Sequence, residues 1–231
     1  MNQELLTGKI EYPGPEEQAL VGYLARPEGA AVLPAVVVIQ EWWGLNDNIR
    51  AMTRRLAGEG YAALAVDLYG GHTAEEPAGA RELAMEANDH PPEALSNLRQ
   101  AYGYLANDVG APKVASIGWC FGGGWSLRTA LALPDTLAAV IIYYGSLVTD
   151  PQELATLRMP ILGFFGGQDQ SIPPAEVRGF EGTLHDLGKD ATIIIYPDAG
   201  HAFANPSGHN YDPEAATQAW QEMVRFLADN L

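Results

Sequence analysis

Runs of apolar residues alternate with amphipathic stretches along most of the chain. Residues 34–40 contain five consecutive apolar positions, Ala-Val-Val-Val-Ile. A run that is apolar at every position predicts a strand buried on both faces, as in a parallel sheet. Similar runs predict further strands at residues 61–67, 113–118, 137–144, 160–166 and 191–196.

The stretches between these runs have helical spacing. In residues 93–107, for example, Leu95, Leu98, Tyr102 and Leu105 recur every three or four positions. The same reasoning predicts helices at residues 47–59, 74–88, 93–107, 125–133, 174–187 and 213–231, after two amino-terminal strands at residues 7–12 and 20–26. Because strands and helices alternate without a linker or repeat, we expect an α/β fold. It is a mostly parallel, twisted sheet with helices on both faces, forming one domain over residues 1–231.

A glycine-rich segment separates the strand at residues 113–118 from the next helix. Its centre, Gly118-x-Cys120-x-Gly122, has the form of a nucleophile elbow with cysteine as the nucleophile. The sharp turn crowds the side chains two residues before and after the nucleophile, and glycine removes them. The turn also places the sulfur at a helix N-terminus, where a thiolate is favoured. Cys120 is therefore the candidate nucleophile, because a cysteine that only fills space needs no glycine on either side.

An acid and a histidine follow later strands in the order that a nucleophile–acid–histidine triad requires. Asp169 follows the strand at residues 160–166, and His201 follows the strand at residues 191–196. The carboxyl ends of parallel strands meet at one edge of a sheet, so we expect both to approach Cys120. Asp198 is a competing acid, but it lies only three residues from His201 and is expected to shape the loop.

Other strand ends carry candidate supporting residues. Glu41 directly follows the strand at residues 34–40, either in the site or as a rim residue in water. The backbone amides of Trp42 and Phe121 occupy the positions that supply oxyanion-hole donors in elbow-containing folds. Trp43 is expected in a pocket or lid, or in packing. Tyr144 ends its strand beside Tyr143, and alternation predicts that the two rings point to opposite faces.

Composition narrows the classes of partner. The net charge is −16, from 29 acidic and 13 basic residues, which argues against nucleic acid and anionic membrane surfaces as partners. The single cysteine cannot form an internal disulfide, and the five histidines lack metal-ligand spacing. No leader segment and no apolar run of about 18 residues is evident, so we expect a cytoplasmic protein. We further expect no metal, no cofactor, no membrane association, and a monomer or small homo-oligomer.

Together these segments resemble the dienelactone hydrolase family. The resemblance extends from about Lys9 to the last helix and is carried by Gln40-Glu41-Trp42-Trp43-Gly44-Leu45-Asn46, Gly118-Trp119-Cys120-Phe121-Gly122-Gly123, Tyr143-Tyr144-Gly145, Gly166-Gly167-Gln168-Asp169 and Gly200-His201-Ala202-Phe203. It implies an α/β-hydrolase fold and a cofactor-free hydrolase of carboxylic esters or lactones with a Cys120–His201–Asp169 triad. It also implies that Glu41 interacts with the resting cysteine and helps govern its activation by substrate.

One position departs from the family pattern. Family members that bind a substrate carboxylate place an arginine four residues after the triad histidine, where this chain has Asn205. A second family arginine lies between the strand at residues 61–67 and the elbow, a region that contains Arg81 and Arg99. Arg81, Trp43, Tyr144 and Asn205 are therefore our candidate substrate-pocket residues. The departure at Asn205 leaves open whether an acidic dienelactone is the substrate.

The expected reaction proceeds through a thioester acyl-enzyme on Cys120. Three alternatives remain at this stage. The same triad could serve an amidase or peptidase, the fold could serve a binding or sensing protein without turnover, or Cys120 could be a peroxide-sensitive thiol. Comparing turnover of an ester with turnover of an anilide distinguishes an esterase from an amidase or peptidase. Oxidation of the thiol without ester turnover would indicate the peroxide-sensitive role.

Overall fold

A computed structural model describes residues 4–15, 18–30 and 32–231. Residues 1–3, on which the expectation about a leader segment rests, lie outside that description. Eight strands form one mostly parallel sheet in the order β1-β2-β4-β3-β5-β6-β7-β8. Their bounds are Leu5–Pro13 (β1), Ala19–Pro27 (β2), Ala35–Ile39 (β3), Ala62–Val66 (β4), Val114–Trp119 (β5), Ala139–Tyr143 (β6), Ile161–Gly166 (β7) and Ala191–Tyr196 (β8). The predicted mostly parallel α/β sheet is confirmed.

In the described part of the chain, seven α-helices connect or follow the strands. They are Asp47–Gly58 (α1), Pro77–Asp89 (α2), Pro91–Gly103 (α3), Phe121–Ala132 (α4), Pro151–Leu154 (α5), Pro174–Asp186 (α6) and Pro213–Asn230 (α7). The predicted helix at residues 93–107 continues past α3 as a π-helical turn, Tyr104–Asp108. The short helix α5 was not predicted. None of the helices among the described residues is both long and apolar enough to cross a bilayer.

The chain divides within β5 into two compact units, residues 1–116 and 117–231. In the first unit β1 and β2 form an antiparallel pair, β2 is antiparallel to β4, and β3 is parallel to β4. Every residue of β3 and β4 is buried, as their unbroken apolar runs predicted. Helix α1 begins at the cap Asn46, whose side chain accepts a hydrogen bond from the amide of Ile49. The expectation of a single domain stays a prediction.

The second unit holds the segments that follow the elbow. Strands β6, β7 and β8 pair in parallel, and β6 and β7 are buried at every position. Helix α4 lies against β6 closely enough that a side chain on Gly123 would meet the carbonyl of Tyr143 within 2.6 Å. The glycines after the elbow therefore permit close packing of this helix on the sheet. As a result α4 begins at Phe121, four residues before its predicted start.

Candidate active site

Cys120 lies at the junction of β5 and α4, where it is the N-cap residue of the helix. Its backbone adopts φ 55° and ψ −115°, a region that L-residues rarely occupy. A side chain on Gly118 would overlap the backbone of Gly122, so the turn requires glycine at position 118. The amide of Cys120 donates to the carbonyl of Tyr143 over 2.9 Å and so holds the elbow against the end of β6. The local geometry is that of the predicted elbow.

His201 lies between Asp169 and Cys120. Its Nδ1 is 2.7 Å from Asp169 Oδ2, and its Nε2 is 3.1 Å from Cys120 Sγ. These contacts join residues separated by 32 and 81 positions in the chain. The structure thus brings the three predicted triad side chains together in the order acid, imidazole, thiol. That geometry allows the imidazole to exchange a proton with the sulfur while the acid fixes its tautomer.

Asp169 is held in place by backbone amides as well as by the imidazole. Its Oδ1 accepts hydrogen bonds from the amides of Ser171 (2.7 Å) and Ile172 (3.0 Å), and its side chain is fully buried. Burial opposes ionisation. The hydrogen bonds from His201 and from the two amides outweigh it and lower the pKa of Asp169. The carboxylate is therefore charged and fixed in orientation at neutral pH.

The His201 imidazole is 24% exposed, and its pKa is set by burial and by its two partners. Burial alone would lower its pKa. The hydrogen bonds to Asp169 and Cys120, together with the negative charge of both partners, outweigh burial and raise the pKa of His201 to about 10. The contacts with Asp169 and Cys120 therefore stabilise the ring when it is protonated on both nitrogens. Such an imidazolium donates one hydrogen bond to the carboxylate and one to the sulfur.

Removing the sulfur should lower the pKa of His201. In Cys120→Ala the ring loses the hydrogen bond and the charge that Cys120 supplies, so its protonated form is less stable than in the parent. We expect the pKa of His201 to fall below the parent's value of about 10. Titration of the imidazole proton shifts by nuclear magnetic resonance measures this, with the other four histidines as an internal reference. Equal pKa values in the two proteins would show that the sulfur does not stabilise the imidazolium.

Backbone strain is concentrated at this site. Among the described residues, the non-glycine residues with positive φ are Cys120 (55°), Tyr144 (39°) and Ala202 (61°). Cys120 carries the candidate nucleophile, Ala202 directly follows the candidate base, and the Tyr144 ring contacts the ring of His201. Strained conformations persist only where the surrounding structure fixes them, and they are typical of functional sites. The strained positions therefore lie at or beside Cys120 and His201, two of the three side chains that the hydrogen bonds join.

Two candidate pocket residues lie inside the protein rather than on an open surface. Tyr144 is fully buried and contacts the rings of His201 and Phe203. Asn205 is 7% exposed, and its Oδ1 accepts a hydrogen bond from the amide of Ser207. Both side chains therefore pack within the second unit, and their roles as substrate contacts stay predictions.

The remaining candidates belong to the first unit. Glu41 lies two residues after the end of β3 and is 2% exposed, which disfavours a position at the rim of the site in water. The rings of Trp42 and Trp43 meet edge to face with centroids 4.9 Å apart, and both side chains are half-buried. Arg81 lies on helix α2 with its side chain exposed. The roles assigned to these residues in the sequence analysis stay predictions.

No pattern in the sequence predicted the cavity beside His201. It measures about 680 Å³. It is lined by Gln168, Gln170, Ser171, Asp198, Ala199, Gly200, His201, His209, Asn210, Tyr211, Asp212 and Pro213. Asn210 links the two ends of the loop that lines this cavity, because its side-chain amide donates to the carbonyl of His201 over 3.0 Å. Asp198, the competing acid, lines this cavity. The acid that contacts the His201 imidazole is Asp169. Within the described residues no group of three or more His, Cys, Asp or Glu side chains is arranged to hold a metal ion.

Comparison with known proteins shows which family the chain resembles. The model of the dienelactone hydrolase family matches residues 20–231. A Salmonella typhimurium protein named "Putative carboxymethylenebutenolidase" is 35% identical over 222 residues, covering 89% of this chain and 81% of the relative. A Synechocystis protein of the same name is 32% identical over 250 residues, covering 100% of both chains. The crystal structure of a "Putative Dienelactone Hydrolase" from Klebsiella pneumoniae has a TM-score of 0.88 and 30% identity, covering 97% of this chain and 99% of the other.

Proposed function

The chain belongs to the dienelactone hydrolase family, and from that premise we propose that it hydrolyses carboxylic esters or lactones through a thioester on Cys120. His201 acts as the general base and acid, and Asp169 orients it. The observation that carries the proposal is the position of His201, 2.7 Å from the acid and 3.1 Å from the sulfur. The three side chains supply the nucleophile and the proton transfers, so no step calls on a cofactor.

Acylation begins from the thiolate that remains once His201 holds the thiol proton. The sulfur attacks the carbonyl carbon of the ester, and the carbonyl oxygen takes up the negative charge. Phe121 is the first residue of α4, directly after the nucleophile, so its amide is our candidate donor to this oxyanion. One such donor contributes about 3 kcal/mol to the transition state. His201 then gives its proton to the leaving oxygen, the carbon–oxygen bond breaks, and the thioester remains.

Deacylation uses the same imidazole in reverse. Neutral His201 removes a proton from water, the hydroxide attacks the thioester carbonyl, and the carbon–sulfur bond breaks to give the acid and the thiolate. The imidazolium is regenerated beside the sulfur, so the cycle closes. Asp169 stabilises each imidazolium stage because its carboxylate stays charged.

The nucleophile restricts the substrates. A thiolate leaves more readily than a simple alkoxide or amine, so an intermediate with a poor leaving group returns to reactants. Enol esters, lactones, aryl esters and thioesters are therefore the expected substrates, and simple amides are not. Asn205 offers a neutral amide where carboxylate-binding family members have arginine. We therefore propose that neutral substrates are accepted at least as well as acidic ones.

A matched pair of chromogenic substrates tests this class. We expect p-nitrophenyl acetate to be hydrolysed at least about 10³-fold faster than p-nitroacetanilide, because the two share an acyl group and differ in the leaving atom. Initial rates at equal concentration provide the measurement, and Cys120→Ala provides the blank. Comparable turnover of the anilide would indicate an amidase. Absence of turnover with any activated ester would favour a binding or redox role for the same side chains.

A further inference from the structure

We propose that Tyr144 is a positioning residue whose ring holds the imidazole of His201 in the plane that reaches both Asp169 and Cys120. This inference rests on the proposed function, because it assigns Tyr144 a role in the same triad. Tyr144 has no role in the acylation and deacylation steps above, and as a buried side chain it has no open path to substrate.

The contact between the two rings is direct. The Tyr144 and His201 ring centroids lie 5.3 Å apart with an interplanar angle of 61°, an edge-to-face arrangement. Tyr144 is 0% exposed, so the imidazole rests on a ring that has little freedom to move. Tyr144 also meets Phe203 at 5.3 Å and 71°. Phe203 in turn meets Tyr196 at 5.1 Å. Within this cluster Tyr144 packs directly against the candidate base, and Tyr196 is connected to Tyr144 through Phe203.

The backbone of Tyr144 is held in an unfavourable conformation by the residues around it. Its φ of 39° is unusual for a bulky residue, and glycine adopts such values without strain. The amide of Tyr144 donates to the carbonyl of Phe164 over 2.7 Å, which ties the residue to β7. The next residue, Gly145, lies so close to the backbone of Gly123 and Gly124 that a side chain there would overlap it. The strained position is thus fixed from both sides, and what tyrosine supplies there beyond glycine is the ring.

Rotation of the His201 ring is the motion that the Tyr144 contact restrains. The ring makes its two polar contacts through Nδ1 and Nε2. Rotation about the Cβ–Cγ bond carries both nitrogens away from Asp169 Oδ2 and Cys120 Sγ. The Tyr144 ring, packed against the imidazole at 5.3 Å and 61°, restricts that rotation. His201 lies in a loop and is followed by strained Ala202, so the backbone alone holds the ring less firmly than a helix or strand does.

The test compares three variants in steady-state ester hydrolysis. Tyr144→Leu removes the ring, and we expect kcat to fall roughly 10-fold or more while KM stays within about threefold, because orientation and not binding is lost. Tyr144→Phe keeps the ring and removes only the hydroxyl, so we expect it to retain most of the parent kcat. Tyr196→Leu is the matched control. It removes a ring from the same cluster that meets Phe203 and Phe164, and we expect kcat within about twofold of the parent.

Thermal unfolding confirms which variants are folded before their kinetics are compared. If Tyr144→Leu does not fold, Tyr144→Met provides the same comparison with a more flexible side chain of similar volume. A folded Leu or Met variant with the parent's kcat would overturn the inference, as would an equal loss of kcat in Tyr196→Leu. Either result, in a parent whose turnover depends on Cys120, leaves the proposed function intact. A parent without Cys120-dependent turnover would instead contradict the proposed function itself.

Discussion

Cys120→Ala should lower kcat/KM for an activated ester by about 10⁴-fold or more, because it removes the atom that forms the acyl-enzyme. The sulfur lies 3.1 Å from His201 Nε2, and methyl replaces it without adding volume to the site. The elbow backbone is fixed by Gly118 and by the hydrogen bond to Tyr143, so the fold should survive the change. Initial-rate kinetics on the parent and the variant measure the loss.

Cys120→Ser provides the matched comparison. It keeps a hydrogen-bonding nucleophile at the same position but replaces the readily ionised thiol with an alcohol. We expect activity between those of the parent and the alanine variant, with unchanged far-ultraviolet circular dichroism in all three proteins. Parent-like turnover by Cys120→Ala would show that another group is the nucleophile.

Asp169→Asn should lower kcat by about 10³- to 10⁴-fold while leaving the fold in place. The asparagine oxygen can still accept the amides of Ser171 and Ile172, which now bond Oδ1. Its NH₂ group then faces His201 Nδ1 and donates to it, so the neutral ring carries its proton on Nε2. That tautomer cannot accept a proton from the thiol, and the imidazolium has lost its charged partner. Single-turnover acylation rates measure the effect without interference from product release.

Asp198→Asn is the control for this substitution. Asp198 lies three residues before His201 and lines the adjacent cavity, and the acid that bonds Nδ1 is Asp169. The same chemical change at position 198 is expected to alter the acylation rate by less than about threefold, the effect of an exposed charge. A larger loss at position 198 than at position 169 would reverse the assignment of the acid.

Features that follow from a short stretch of sequence, or from the order of residues along the chain, could be predicted. Unbroken apolar runs predicted β3 and β4, since only a strand covered on both faces suits them. The glycines around Cys120 predicted the elbow, since the turn excludes side chains at fixed offsets. The order of Asp169 and His201 after separate strands predicted their approach to Cys120, because parallel strands deliver their carboxyl ends to one edge.

Features that depend on tertiary packing were missed. Helix α4 was expected to begin at residue 125, because Gly122 to Gly124 are poor helix formers. Close packing against the end of β6 overrides that preference, and the helix begins at Phe121. The apolar run at residues 137–144 likewise predicted Tyr144 as the last residue of a strand. The strand ends at Tyr143, and the positive φ of Tyr144 turns its ring towards His201, a contact that no local pattern encodes.

The most direct test of the account is rapid acid quenching of the enzyme during turnover of p-nitrophenyl acetate, followed by peptide mass spectrometry. The account predicts a burst of p-nitrophenol equal to the enzyme concentration and an acetyl group on the peptide that contains Cys120, both absent in Cys120→Ala. An acetyl group carried on another residue, or a burst that persists in Cys120→Ala, would contradict it.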